Sequence, residues 1–280
     1  MSLLFDVVFS VALMMLVSLG LLVILGLMNI INLSHTAFMA VAAYAELALV
    51  QAGLGFWLSF ATAVCVAAAL GGVLELIVVR RLYGRHIDDT ILATWGMSLI
   101  IMQGLTLAFG RTTTSMALPI AGSVVAFGEQ MSLYRLFVVA SVAAVVCFLA
   151  IVVRATRVGL IVRMVMTNEI LSRAVGINTR AVRRATFVAG AAFAGVAGAL
   201  LAPMQGISPS FALGLLAPSF LIVLMSGRTL GGLFLACLII GAVQALVSSW
   251  GSPVMANVLV VFAAVVVLRV KPEGLMWRHG

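Results

Sequence analysis

Charged residues are scarce in this chain. Only 9% of its 280 residues are charged, whereas 64% are hydrophobic. A water-soluble domain of this size carries roughly a quarter charged residues, so a soluble core cannot hide this much apolar surface. The composition therefore predicts a polytopic membrane protein in which residues 1–280 form one transmembrane domain.

Cysteines and recognisable catalytic motifs are also few. Cys65, Cys147 and Cys237 lie inside apolar runs without metal-ligand spacing or a disulfide framework, so we interpret them as small packing residues. The sequence has no Gly-x-x-x-x-Gly-Lys-Ser/Thr phosphate loop, no His–Glu–x–x–His set and no paired acids within the predicted spans. We therefore predict a protein that is not an enzyme and that holds no cofactor or metal.

Nine apolar runs are candidates for helices that cross the hydrocarbon, a crossing that takes about 20 residues. They cover residues 7–28, 36–53, 56–79, 90–109, 132–153, 186–203, 211–226, 229–249 and 254–269. The predicted fold is all-α with nine spans, or eight if the run at 36–53, which carries Glu46, is re-entrant. A loose likeness between Leu33-Ser34 and Ile207-Ser208 is compatible with broken helices in an internal inverted repeat.

Basic residues flank these runs and predict their orientation. Arg80, Arg81 and Arg85 share one short loop, a second loop holds seven arginines, and Arg269, Lys271 and Arg278 form the tail. Because Arg and Lys are retained in the cytoplasm, we expect these segments and the C-terminus inside, and residues 110–131 outside as an irregular cap. Topology thus explains the net charge of +8, and nucleic acid is not an expected partner.

The second basic loop, residues 154–185, also has a helical pattern. From Thr167 to Val175 the sequence predicts a short helix that is capped by Thr167 or Asn168 and that carries Glu169 at its positive end. Gly176 would end it in the left-handed conformation. Its residues Ile170, Ala174 and Val175 would form one apolar face.

Two interpretations of this loop remain open. It is a surface that docks another protein, with Arg163 and Arg173 pairing with that partner's acids, or its arginines fix topology and meet anionic lipid. We favour docking for the short helix, and topology for Arg154, Arg157, Arg183 and Arg184.

Two polar breaks interrupt the apolar runs, at residues 26–35 and 203–210. Interrupted helices are typical of transport pathways, and helices beginning at Ser34 or Ser208 would present N–H groups to a carboxylate or carbonyl. The alternative is that these segments are loops at the membrane surface. The residues assigned to the candidate substrate pathway are Asn29, Asn32, Ser34, His35, Gln103, Gln205 and Ser208.

Four segments in order resemble the permeases of branched-chain amino-acid ABC importers, the Liv type. They are residues 20–35, Ala93–Ser98 (Ala-Thr-Trp-Gly-Met-Ser), Arg163–Asn178 and the tail Lys271–Leu275 (Lys-Pro-Glu-Gly-Leu). The chain departs from the family pattern at Thr36, where glycine is usual, and in the turn Ser226–Thr229, where the family has a glycine-rich turn. The first departure bears on the substrate and the second on docking.

The resemblance implies a bacterial inner-membrane importer for branched-chain or related amino acids. Its expected partners are a second homologous permease, two cytoplasmic ATPase subunits, a periplasmic solute-binding protein and membrane lipid. The residues that would couple to the ATPase are Arg163, Asn168, Glu169, Arg173, Ala174 and Gly176. Alternatives are an ABC permease for urea, amides or another small polar solute, and an ion-coupled secondary transporter for which Glu46 would be essential.

Overall fold

The computed structural model describes residues 2–28, 30–126, 129–251 and 253–275. Asn29 and Arg278, which the sequence analysis singled out, lie outside these residues. The helices are α1 (Ser2–Met28), α2 (His35–Gln51), α3 (Phe56–Ile77), α4 (Ile87–Phe109), α5 (Leu133–Ala155), α6 (Arg157–Thr167), α7 (Glu169–Ala174), α8 (Thr179–Leu201), α9 (Leu216–Met225), α10 (Leu230–Trp250) and α11 (Pro253–Val270). Two short 3-10 helices cover Val79–Arg81 and Leu213–Leu215. The all-α polytopic class is therefore confirmed.

Each of the nine predicted runs contains a helix, but their lengths differ. In the part of the chain that the structure describes, six helices are long and apolar enough to cross a membrane, namely those within Leu3–Gly26, Phe56–Arg81, Ile87–Phe109, Leu133–Ala155, Thr179–Leu201 and Leu230–Ser249. The 17 residues of α2 extend only about 26 Å at 1.5 Å per residue, less than the roughly 30 Å of hydrocarbon. The count of eight or nine spans and the inverted repeat remain predictions.

The loop after α4 is more regular than expected. We predicted an irregular cap over residues 110–131, but Ser123–Ala126 (β1) and Glu129–Ser132 (β2) pair as antiparallel strands, with Ser123 opposite Ser132. The β-branched Val124 and Val125 favour extended backbone. The two strands are close in sequence and form a hairpin. The glycine and proline residues of this loop predicted turns but not the pairing of the strands.

The chain divides into two compact units. One comprises Met1–Leu22, Leu118–Phe148 and Ala217–Gly280, and the other comprises Val23–Ala117 and Leu149–Leu216. The second unit holds α2, α3, α4, α6, α7 and α8 and contains both of the cavities considered below.

Small residues at four-residue spacing hold α2, α3 and α8 together. Ala42 of α2 packs with Ala63 and Ala67 of α3 and with Ala199 of α8. Where α8 crosses α2, Gly198 lies so close to Met39 that an added Cβ would overlap the Met39 backbone. Small side chains permit this close approach, which membrane helices use instead of a hydrophobic driving force.

In the first unit the tail folds back on the turn after α9. The Leu275 N–H donates to the Met225 carbonyl at 2.7 Å. Gly274, with φ +93°, lies against the backbone of Gly227. Arg228 in the same turn has φ +61°, a left-handed conformation that costs a non-glycine residue roughly 1 kcal/mol or more. Glycine adopts this conformation without strain, which explains why a glycine-rich turn suits the position that Arg228 occupies in this chain.

We predict opposite effects for two alanine substitutions in helix interiors. Gly198→Ala should lower the free energy of unfolding by about 1–3 kcal/mol because its Cβ meets the Met39 backbone. The Cβ that Gly104→Ala adds on α4 would have no atom within 4 Å. This substitution should therefore leave the free energy of unfolding unchanged or raise it by up to about 1 kcal/mol, because alanine has the higher helix propensity. Thermal unfolding of both variants in one detergent checks this, and equal melting temperatures would contradict the close packing.

Candidate functional site

The short helix in the second basic loop forms as predicted. Helix α7 is preceded by Asn168, whose side-chain Oδ1 accepts a hydrogen bond from the Leu171 N–H at 2.9 Å, so Asn168 and not Thr167 is the cap. The chain then turns at Gly176, which has φ +86° and whose N–H donates to the Arg173 carbonyl at 3.0 Å. Both ends of the helix are therefore fixed by signals within its own sequence.

Glu169 ties α7 to the start of α8. Its carboxylate accepts hydrogen bonds from Arg173 at 2.5 Å and from Arg183, while the Arg173 Nε donates to the Thr179 hydroxyl at 3.0 Å. Burial by itself would raise the pKa of Glu169, but the hydrogen bond from Arg173 and the charge of Arg183 outweigh it and leave the pKa below its ordinary value. Arg183, which we assigned to topology alone, is thus also a structural partner of Glu169.

Tyr83 supports the same arginine from the other side. The Arg183 guanidinium lies 4.8 Å from the centre of the Tyr83 ring, a cation–π contact. The Tyr83 hydroxyl donates to the buried Glu75 at 2.7 Å. Burial, and after it the hydrogen bond to Glu75, raises the pKa of Tyr83, so the phenol remains neutral.

Glu75 also lies near an arginine of α8. Among the described residues, Arg184 is the arginine within ion-pair distance of the Glu75 carboxylate, at 4.0 Å. The guanidinium of Arg81, which follows the end of α3, donates to the Ile77 carbonyl. Arginines near a helix C-terminus commonly bond the last carbonyls in this way.

Arg163 is also engaged within the chain. Its guanidinium donates to the Gly159 carbonyl at 3.3 Å and to the Val153 carbonyl, which holds α6 against the end of α5. Pairing of Arg163 and Arg173 with acids of another protein remains a prediction, and both arginines also have partners in this chain. Apolar side chains in and just after α7 also remain uncovered, since Ile170 is 83% exposed and Val175 59%.

The first polar break is buried and bonded to α4. The Thr94 hydroxyl accepts from the Leu33 N–H at 3.1 Å and donates to the Thr90 carbonyl at 2.7 Å. Within the break, the Asn32 Oδ1 accepts from the N–H of Ser34 at 3.1 Å and from its hydroxyl at 2.5 Å. Asn32, Ser34 and His35 are all buried. Two of the segments that carry the family resemblance therefore meet at Thr94, a contact that sequence reasoning missed.

The second break does not begin a helix. A helix N-terminus at Ser208 was one of the two interpretations, but turns follow this residue, and α9 begins only at Leu216. Ser208 precedes Pro209, which disfavours helical backbone at Ser208. Ile207 instead forms an isolated antiparallel bridge with Thr114, in which the two residues exchange N–H···O bonds of 2.8 and 3.0 Å.

A cavity of about 350 Å³ lies between α4 and this second break. We call it the Arg111 cavity. Its lining residues are Leu99, Met102, Gln103, Thr106, Arg111, Ser208, Pro209 and Ser210. It brings together two predicted pathway residues, Gln103 and Ser208, whereas Asn32, Ser34, His35 and Gln205 do not line it. Sequence reasoning missed Arg111, although its position as the one basic residue between 110 and 131 was a signal.

Comparison with known proteins identifies the family. The family model described as "Branched-chain amino acid transport system / permease component" matches residues 3–270. The chain belongs to this family.

Named relatives agree with this membership of the branched-chain permease family. The permease protein LivH of the high-affinity branched-chain amino acid transport system from Escherichia coli is 28% identical over 254 residues, covering 88% of this chain and 82% of the relative. LivH from Salmonella typhimurium is 26% identical over 253 residues, with the same coverage of 88% and 82%. BraD from Pseudomonas aeruginosa is 25% identical over 255 residues, again with 88% and 82% covered.

A solved structure shows a similar fold. PsaBC from Streptococcus pneumoniae in complex with Fab superposes with a TM-score of 0.53 at 12% identity, covering 98% of this chain and 93% of that chain. At this identity the likeness concerns the fold alone.

We predict that the Glu169 bridges make a pH-dependent contribution to stability. Because the pKa of Glu169 is lowered on folding, the contribution is complete above the ordinary glutamate pKa and is lost as pH falls through the lower folded value. At neutral pH, Glu169→Gln should reduce the free energy of unfolding by about 1–2 kcal/mol. The difference in melting temperature between wild type and variant should shrink as the solution is acidified.

Asp88→Asn is a matched control for this prediction. Asp88 is exposed in the first turn of α4 and has no ion pair within the described residues. Its substitution should leave the melting temperature of the protein nearly unchanged. A Glu169→Gln difference that is independent of pH would contradict the ion-pair assignment.

Proposed function

We propose that this chain is the membrane permease of an ABC importer that moves branched-chain or related amino acids into the cytoplasm. The observation that carries the proposal is α7, a capped helix whose ends are fixed and whose Ile170 and Val175 side chains are uncovered. An apolar face held rigidly beside charged residues suits docking into a groove on an ATPase subunit. Membership of the branched-chain permease family supports the same conclusion.

The proposed coupling runs from α7 into α8. Glu169 is hydrogen-bonded to Arg183 and, through Arg173, is linked to Thr179 at the start of α8. A displacement of α7 by nucleotide-driven closure of the ATPase would therefore be passed to a spanning helix. Asn168 and Gly176 keep α7 intact during that displacement, and Arg163 holds α6 to α5.

The proposed orientation follows from the two ends of α4. Its 23 residues extend about 34 Å, with Arg85 and His86 before its start and Arg111 beyond its end. Glu75 and Tyr83 contact Arg184 and Arg183, which places the basic loops after α3 and before α8 at one end of this unit. We propose that this end is cytoplasmic, together with the C-terminus, in a bacterial inner membrane.

We propose the Arg111 cavity as a first contact for the substrate. A guanidinium matches the carboxylate of an amino acid, Gln103 and Ser208 offer neutral hydrogen-bonding groups, and Leu99 and Met102 suit an apolar side chain. The other pathway residues, Asn29, Asn32, Ser34, His35 and Gln205, would contribute in further steps. Residues 1–280 would form one permease domain beside a second permease, beneath a solute-binding protein and above two ATPase subunits.

Reconstitution with the candidate ATPases, second permease and binding protein tests this function. We expect ATP-dependent uptake of leucine, isoleucine or valine into proteoliposomes, which an excess of urea or amides does not inhibit. Ile170→Asp should reduce substrate-stimulated ATP hydrolysis at least tenfold while leaving membrane insertion intact, because burying an unpaired charge at the docking face is costly.

Ile87→Asp is the matched control. Ile87 is 50% exposed and lies in the first turn of α4, near the same basic end but outside α7. Normal ATP-driven transport by Ile170→Asp, or an equal loss for Ile87→Asp, would contradict docking through α7.

The ion-coupled alternative is favoured by one observation, at Glu46. This residue is fully buried in α2, and among the described residues neither carboxylate oxygen has a hydrogen-bond partner. A buried carboxylate of this kind is far less costly when protonated, and carriers use such groups to move protons.

Glu46→Gln separates the two functions. Glutamine keeps the shape without a titrating proton, so an ABC permease should retain at least half of its ATP-driven uptake. Glu46→Asp, which keeps a carboxyl group, should behave similarly. Uptake driven by an ion gradient alone that Glu46→Gln abolishes and Glu46→Asp preserves would overturn the ABC assignment.

A further inference from the structure

A second cavity, also of about 350 Å³, lies between the end of α3, helix α7 and the start of α8. We call it the arginine cavity. Its lining residues are Arg80, Tyr83, Gly84, Glu169, Arg173, Arg180 and Arg183. Four arginines, one glutamate and one tyrosine are therefore among its lining residues, which carry a formal charge of +3 (four positive minus one negative).

The charge of this cavity is not balanced within the described part of the chain. Glu169 already accepts from Arg173 and Arg183. No acid lies within ion-pair distance of Arg80 or Arg180 in the residues that the structure describes. Arg183 is held in place by Glu169 and by the Tyr83 ring, so part of the positive wall is ordered before any anion arrives.

The cavity also lies at the boundary of the spanning segments. Arg80 is in the last turn of the candidate span Phe56–Arg81, and Arg180 is the second residue of the span Thr179–Leu201. The ends of spans are where the phosphates of membrane lipids lie, and basic pockets between helices at this depth are suited to anionic headgroups.

We propose that the arginine cavity binds a phosphate group, and that its occupant is the headgroup of an anionic phospholipid. Guanidinium groups match phosphate oxygens in paired, charge-assisted hydrogen bonds, and four arginines line this cavity. Because Arg173 and Arg183 also hold Glu169, an occupant of the cavity would contact the same side chains that fix α7. This site is separate from the Arg111 cavity and does not depend on which solute is carried.

Lipid retention by the full-length chain tests the proposal. The protein is purified in non-ionic detergent, exposed to an equal mixture of phosphatidylglycerol and phosphatidylcholine, and measured by native mass spectrometry. We expect selective retention of phosphatidylglycerol. Arg80→Gln/Arg180→Gln should weaken it on the order of tenfold or more, since each basic residue near an anionic surface contributes roughly fivefold in affinity.

The matched control removes two positive charges from the second basic loop at positions outside the cavity. Arg154→Gln/Arg157→Gln changes two exposed arginines that do not line the cavity. Melting temperatures of both double variants, measured without added lipid, show whether folding is intact. Retention that is equal in the two double variants would overturn the proposal, because binding would then follow total charge and not the cavity.

A separate arm distinguishes the source of the phosphate. Inorganic phosphate is titrated against the lipid-bound protein and against the delipidated protein at constant ionic strength. Failure of millimolar phosphate to displace phosphatidylglycerol supports a lipid site. Displacement that Arg80→Gln/Arg180→Gln abolishes supports a phosphate site filled from solution and overturns the lipid assignment. The absence of both bound lipid and bound phosphate overturns the site itself.

Discussion

The close approach of α3 and α8 is the constraint on which the rest of the second unit depends. Ala63, Ala67 and Gly71 on α3 face Ala199, Gly195 and Ala191 on α8, one pair for each turn. The helices run antiparallel, so the same alignment continues to the end of α3, where Glu75 and Tyr83 meet Arg184 and Arg183. A larger side chain anywhere in the series would separate the helices and with them the ionic contacts that anchor α7. Packing of the smallest residues thus sets the geometry of the most highly charged site.

One carboxylate makes two of the ion pairs in that site. Glu169 is the single acid between residues 154 and 185, and it bonds two of the seven arginines there. Any negative group that enters the arginine cavity would share those arginines with Glu169. The bridge is partly exposed, so its strength depends on salt as well as pH. The apolar residues Ile170 and Val175 lie outside this ionic cluster, so the surface proposed for docking is separate from the contacts that position it.

Features with local signals were predictable from the sequence, and contacts between distant segments were not. The apolar runs predicted the helices, and Asn168 with Gly176 predicted both ends of α7, because capping and left-handed glycine depend on neighbouring residues alone. The bond of Thr94 to Leu33 and the bridge of Ile207 to Thr114 join residues far apart in sequence, and no periodic pattern specifies such pairs. Arg183 was assigned to topology for the same reason, since its contacts with Tyr83 and Glu169 arise only when α3, α7 and α8 pack. The segment at Ser208 had two interpretations, a helix start or a loop, and Pro209 favours the loop that the structure shows because a residue before proline avoids helical backbone.

The shortness of α2 has a consequence for the membrane itself. A helix a few ångströms shorter than the hydrocarbon would ordinarily force lipids to thin around it. Nearly all of α2 from His35 to Leu47 is instead enclosed by α3, α4 and α8, so no acyl chain has to deform to meet it. Packed protein, and not lipid, therefore compensates for the length that α2 lacks.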